Sequence, residues 1–416
     1  MVDSEESTRS KTWLPSLGEG APLAVELCSG MGAIGLGLRS LGFRVAHAYD
    51  CWNAAVAIYN HNAPKPVAVE CDLLTVEGLR RVRTDCRKLP SVDLLAAGPP
   101  CKGFSQIRNG QHHKPNTKQH NRLLAAMPEY VAGLRPRLVL IENVPDLIRH
   151  GRGKTLKNLL ARLEAPGPSG LSYRVEHNVF DAALYGTPQA RRRLLIFCVR
   201  SGAGDAVLPE PGPDLTRLYA ALRRGGEIPQ PVEGYRSVLE DPCDLTMTET
   251  QHALSDIPAL GPGEPEQLRP YATSPTTAFQ RLMREGAATC LSNTQTPATR
   301  RETILRLQHI PPGGCARDIP SQLRNGLSRR FDSAYRRLHP SAPSTALNTR
   351  YDCVYHYASE RSLSVREYAR IQGLPDFVTF PTTLACRRSA YEMIGNSVPP
   401  LLIREVLGEA LSIPTS

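Results

Sequence analysis

Long hydrophobic runs are missing from this 416-residue chain. Its apolar runs, such as Leu138 to Ile141 and Leu194 to Val199, are strand-sized. A bilayer needs about 20 apolar residues in a row, so no membrane span is expected. No two of the 11 cysteines form a C-x-x-C pair. The series Cys28, Cys51, Cys71, Cys86, Cys101 is too wide and irregular for a zinc module, and no metal is expected. The thiols read as reduced, and most as small buried apolar groups. The opening MVDSEESTRSKTW is polar and acidic, which argues against a secretory signal and for a cytoplasmic location. Internal repeats are absent too.

What the chain does have is positive charge. Fifty Lys+Arg stand against 40 Asp+Glu, a formal +10, most of it from arginine clusters such as RRVR and RRR. That excess favours a polyanionic partner.

Residues 21–200 alternate strand-like and helix-like stretches. LAVELC, RVAHAYD, VDLLAAG, RLVLIENV and RRLLIFCV read as strands. GAIGLGLRSLGF, WNAAVAIYNHN and NRLLAAMPEYVAGL read as helices. This predicts an α/β fold, a doubly wound and mostly parallel sheet that binds ligands at the carboxyl ends of its strands. Residues 1–20 are expected to be a flexible lead-in. Regularity fades over 201–340, where proline and glycine are dense, and a smaller loop-rich recognition domain is expected there. LTRLYAALRR and RRETILRLQHI keep helical spacing inside it. Helical pattern returns over 341–416, in SVREYARIQG and PPLLIREVLGEAL.

Gly30-Met31-Gly32-Ala33-Ile34-Gly35 fits G-x-G-x-x-G between a strand and a helix, and Asp50 ends the next strand. Backbone N–H groups in such a turn approach a nucleotide closely, and the acid accepts from a ribose. Either a dinucleotide or S-adenosylmethionine would suit. Cys101 lies behind Gly98-Pro99-Pro100 and before Gly103, a setting that can expose a thiol at a strand end. Lys102 and Arg108 are close enough in sequence to favour its thiolate. Glu142 follows the strand Leu138 to Ile141, as a cap or as a member of the site. Arg191 and Arg193 share one face of an extended segment, with Arg192 on the other. Together these groups suit chemistry on an electron-poor ring. The thiolate adds to the ring, the acid stabilises the charge produced, and the adjacent carbon takes a methyl group from a sulfonium.

At this point the chain resembles the cytosine-C5 DNA methyltransferase family, in that family's motif order over most of residues 21–404. VELCSGMGAIGLGL, GPPCKGFS, ENV, QARRRLLIF, RSLSVREYARIQGLPD and MIGNSVPP carry the resemblance. It implies a Rossmann-like methyltransferase fold and S-adenosylmethionine as methyl donor. Cys101 would attack C6 of a cytosine flipped out of duplex DNA. Glu142 would hold N3 and the exocyclic amine, and Arg193, with Arg191 nearby, would contact base or phosphate. The donor's site would draw on Cys28, Ser29, Gly30, Met31, Gly32, Ala33, Ile34, Asp50, Cys51, Asp72, Leu73, Pro99, Leu123, Asn396 and Ser397. Residues 201–340 would be the target recognition domain. Double-stranded DNA is the expected partner of a bacterial, nucleoid-associated monomer, with a cognate restriction endonuclease as a possible companion.

Two positions depart from the family pattern. Lys102 stands in place of the usual Gln, and Cys51 where an apolar or aromatic residue often stacks on adenine. The alternatives are a tRNA cytosine methyltransferase, whose Cys-Phe-Thr signature is absent here, a catalytically silent regulatory member, and a nucleotide-dependent oxidoreductase.

Overall fold

The computed structural model describes residues 13–100, 115–167, 170–215, 219, 247–327 and 335–412. Cys101, Lys102, Gly103 and Arg108 lie outside these residues, as does most of the predicted helix LTRLYAALRR. No described helix is long and apolar enough to cross a membrane.

Seven strands form the central sheet: β1 Leu23–Leu27, β2 Arg44–Asp50, β3 Ala68–Glu70, β4 Leu94–Ala97, β5 Leu138–Asn143, β6 Tyr173–Asp181 and β7 Arg192–Arg200. Their spatial order is β3-β2-β1-β4-β5-β7-β6. All pairings are parallel except those of β7, which runs antiparallel to both β5 and β6. The central strands LLAA and LVLIEN are apolar almost throughout because helices cover both faces. Alternation divides the side chains. Ala24, Leu94 and Leu140 enter one core with Ile34 and Leu402, while Val25, Leu95 and Val139 enter another with Val82, Met127 and Leu159.

The covering helices are α1 Ala33–Ser40, α2 Asn53–Asn62, α3 Val76–Cys86, α4 Pro115–Leu134 and α5 Lys154–Glu164. Thr75 caps α3 by accepting from the Gly78 N–H. Gly37 inside α1 has a packing reason. A Cβ there would sit 2.8 Å from the Pro400 carbonyl and 2.9 Å from Ile403 Cβ, on the C-terminal helix lying against α1.

Beyond the sheet come the short helices α6 Thr250–Leu254, α7 Ala278–Arg284 and α8 Arg301–Leu307, then α9 Val365–Ile371, α10 Arg387–Asn396 and α11 Pro400–Ser412. One apolar core joins Met31 and Ile58 of the sheet region to Leu254, Phe279 and Met283, and to Val365 and Tyr391. A separate small core, Leu307, Ile310, Ile319, Tyr335 and Tyr355, serves residues 307–355. Part of the 201–340 region therefore shares its interior with the sheet region. Trp13, within the expected lead-in, is fully buried in the shared core and donates from Nε1 to the Leu282 carbonyl at 3.0 Å.

The motif RSLSVREYARIQGLPD forms a buried lattice around α9. Arg361 grips Glu367 through two bonds of 2.7 and 2.8 Å. Burial alone would raise the Glu367 pKa, but Arg361 overrides it and holds the carboxyl down to about 2. Arg370 reaches Asp256 and Asp376, and Arg366 donates to Asp376 and to the Val378 carbonyl. Ser364 completes a capping box with Glu367.

Candidate active site

Parallel register brings the ends of four strands into one row. Leu27 pairs with Tyr49 on one side and Ala97 on the other, and Ala97 with Ile141. The next residues along each strand are Asp50, Cys28, Gly98 and Glu142.

After β1 the chain turns sharply. Cys28, Gly30 and Gly32 all have positive φ, +53°, +53° and +90°. Gly30 N–H donates to Asp50 Oδ2 at 2.8 Å, and Trp52 N–H to Asp50 Oδ1 at 2.9 Å. The carboxylate thus ties the turn after β1 to the turn after β2. Burial raises its pKa, against the backbone donors that lower it. With backbone donors from Gly30, Trp52 and Cys51, the carboxylate still has acceptor capacity for a ligand hydroxyl. A Cβ built on Gly30 meets nothing within 4 Å, so the turn borders open space. Ser29 Oγ is buried without a hydrogen-bond partner.

The other expected cofactor residues divide into two groups. Met31, Ala33, Ile34 and Leu73 send their side chains into apolar cores, so on the cofactor side their backbone is what a ligand would meet. Cys51 and Asp72 are exposed, Cys28 and Leu123 half-buried. Asp72 Oδ1 accepts from Leu74 N–H at 2.9 Å, fixing the turn after β3. The Pro99 carbonyl accepts from Asn143 Nδ2 at 3.2 Å, which fastens the strand end just before Cys101 to the end of β5.

Glu142 is buried, and its Oε1 accepts from Arg193 Nε at 2.7 Å. Oε2 lies 3.7 Å from where a Cβ on Gly98 would be. Burial pushes its pKa up, partly offset by Arg193 and Arg191. A raised pKa favours the acid form relative to an exposed carboxyl, the direction that suits a group meant to donate to a ring nitrogen. Arg192 points the other way, to Asp214 at 3.5 Å.

Arg191 differs from the expectation that it meets base or phosphate. Its guanidinium is buried and donates to the carbonyls of Leu347 (2.8 Å), Gly395 (2.7 Å) and Ser397 (2.9 Å). These bonds pin the GNSV turn to the sheet edge, a positioning role. Asn396 is exposed at the end of α10, and half-buried Ser397 is held by Gln372. Gly395 admits no Cβ because the Asn348 carbonyl occupies that space.

Sequence reasoning missed Glu26, Tyr59 and Gln189. Fully buried Glu26 accepts from the Gly35 N–H (3.0 Å) and the Tyr59 hydroxyl (2.6 Å), bracing α1 behind the glycine turn. An acid inside the apolar run LAVELC was the available signal. Gln189 joins Gln372 (2.7 Å) to the Leu347 N–H (2.9 Å).

A family model for C-5 cytosine-specific DNA methylases matches residues 24–412. Type II methyltransferase M.AgeI of Thalassovita gelatinovora is 30% identical, over 94% of this chain and 99% of its own length. Type II methyltransferase M1.HphI of Haemophilus parahaemolyticus is 26% identical, over 94% of this chain and 87% of its own. Among solved structures, a candidate DNA modification methyltransferase encoded within an E. coli prophage gives a TM-score of 0.68 at 21% identity, covering 94% of this chain and 98% of that one. At that identity the likeness speaks for the fold, which is the Rossmann-like fold of methyltransferases. The chain belongs to the C-5 cytosine-specific DNA methylase family. Its enzymatic class is DNA (cytosine-5-)-methyltransferase.

Proposed function

We propose that the protein methylates C5 of a flipped cytosine at a specific site in duplex DNA, with S-adenosylmethionine as donor and Cys101 as nucleophile. The observation that carries this reading is the buried Glu142–Arg193 pair, beside Gly98 and the Pro99 carbonyl, two residues before Cys101. Arg193 holds one oxygen of the acid and leaves the other directed at the strand end where the thiol follows. A flipped base seated there would bring N3 to the Glu142 proton and C6 to the Cys101 sulfur. The sulfur–C6 bond forms as Glu142 stabilises the negative charge at N3. C5 would then take the methyl group as the donor's S–CH3 bond breaks and its neutral thioether departs, a base would remove the C5 proton, and the Cys101 sulfur would leave C6.

The donor fits the glycine turn. Asp50 would accept from its ribose, Asp72 would meet the adenine amine, and the unpartnered Ser29 hydroxyl is available beside it. When bound, it supplies a methyl group made electrophilic by sulfonium charge. Exposed Cys51 gives the adenine a smaller, softer wall than an aromatic ring would. Base flipping costs a few kcal/mol of stacking and pairing. The excess of arginine would help hold the distorted strand and make binding salt-dependent. Residues 201–340 are proposed to choose the target sequence.

Bisulfite sequencing of DNA from a methylation-free host expressing the protein tests this directly. Protected cytosines at one recurring sequence are expected. Unprotected DNA, with methyl transfer to tRNA instead, would favour the RNA reading.

A further inference from the structure

A cavity of about 810 Å³ lies on the other side of the glycine turn. It runs between α1 and α2, toward the start of β2, and is bordered by residues 14–19 and 374–378. Its β2 contributors are Arg44, Val45 and Ala46, at the amino end of the strand, whereas Asp50 ends the same strand on the cofactor side. None of Asp50, Cys51, Asp72 or Glu142 lines it. The volume suits one small organic molecule.

The lining has a consistent chemistry. Leu17, Leu36, Phe43, Val45 and Phe377 make an apolar wall. Three cations face the same space, Arg39, Arg44 and Lys65, with Glu19 as the lining acid. None of these four has an ion pair within the described residues. Arg44 donates to the Gly18 carbonyl. Arg39 Nε is buried with no hydrogen-bond partner, and burial lowers the Arg39 pKa. Arg39 is half-buried and lines an apolar space without an acidic partner, so an anionic ligand group entering that space would gain a charge-assisted bond there.

We propose that this cavity is a second ligand site, for a molecule with an apolar body and one carboxylate, whose headgroup pairs with Arg39. Occupancy would be felt at the cofactor turn. Met31, Gly32 and Tyr59 all line the cavity. A Cβ on Gly32 would lie only 2.8 Å from Tyr59 Cε2, and Tyr59 in turn bonds Glu26 under α1. A ligand pressing on Tyr59 therefore acts on the turn itself. Any effect on donor affinity must be matched by an equal effect of the donor on the ligand.

The test is calorimetric titration of the full chain with decanoate, and with decanol as the uncharged comparator. Saturable binding of one decanoate per chain is expected, with decanol at least about tenfold weaker. Arg39→Met should weaken decanoate about tenfold or more, and Ala46→Phe should block it by filling the cavity, with far-UV circular dichroism confirming the fold of both. Saturating decanoate should also shift the Kd for S-adenosylmethionine. Absence of saturable decanoate binding in the millimolar range overturns the site. Equal binding of decanol, or full binding by Arg39→Met, overturns the charge pairing. Undiminished binding by Ala46→Phe puts the ligand elsewhere, and an unmoved donor Kd overturns the coupling. None of these readouts depends on DNA methylation, so they stand apart from the proposed reaction.

Discussion

Replacing Glu26 by Gln should flatten the pH dependence of stability. Glu26 is the buried acid of β1, with acceptor bonds to the Gly35 N–H and the Tyr59 hydroxyl and no cation beside it. Burial pushes its pKa up to about 7 from an ordinary 4.5, although both donors oppose the rise. Below pH 4.5 the group is neutral folded and unfolded, and its contribution to stability is fully present. As pH rises toward 7, the unfolded chain ionises and the folded one does not, so stability is lost. The loss levels off once the folded group ionises as well. At about 1.36 kcal/mol per pKa unit, this interval corresponds to roughly 3 kcal/mol. Gln imitates the protonated acid, since its oxygen accepts from Gly35 and its amide donates to Tyr59. Urea unfolding of wild type and Glu26→Gln at pH 5 and pH 8 reads the effect. Wild type should lose about 2–3 kcal/mol more than the variant over that span. Parallel losses in the two proteins would refute the assignment of a buried, cation-free carboxyl.

Three further outcomes are expected. Glu142→Gln should lower the single-turnover methylation rate by about 10²–10⁴-fold while leaving DNA binding close to wild type, as filter binding would report. Arg191→Met should leave the carbonyls of Leu347, Gly395 and Ser397 unpaired and cost about 2–4 kcal/mol in denaturant unfolding; an unchanged midpoint would argue against its positioning role. Asp50→Ala should raise the calorimetric Kd for S-adenosylmethionine and spare the fold, since its other partners are backbone groups of two neighbouring turns.

The strands nearest the site were legible because they are buried on both faces and read as plain apolar runs. β6 was not: YRVEHNVFD packs against β7 alone at the sheet's end, with a mixed, half-exposed pattern. β3 has only three residues, and α3 is strongly charged, so neither offered a clear apolar signal. The opposed directions of Arg193 and Arg192 followed from strand alternation. The role of Arg191 did not, since its carbonyl partners lie 156 to 206 residues further along the chain. The same holds for the shared interior. Nothing local in the 250–291 stretch says that Leu254 and Phe279 pack in one core with Met31 and Ile58.

The account turns on a sulfur–carbon bond to the target base. Incubation with S-adenosylmethionine and a substrate duplex carrying 5-fluorocytosine at the methylated position should trap that bond. With fluorine in place of the C5 proton, the final elimination cannot occur. Peptide mass spectrometry should then find the nucleotide attached to residue 101, and Cys101→Ser should yield no adduct. A wild-type protein that methylates the normal duplex yet forms no adduct on the fluorinated one, or forms it on another residue, would contradict the mechanism.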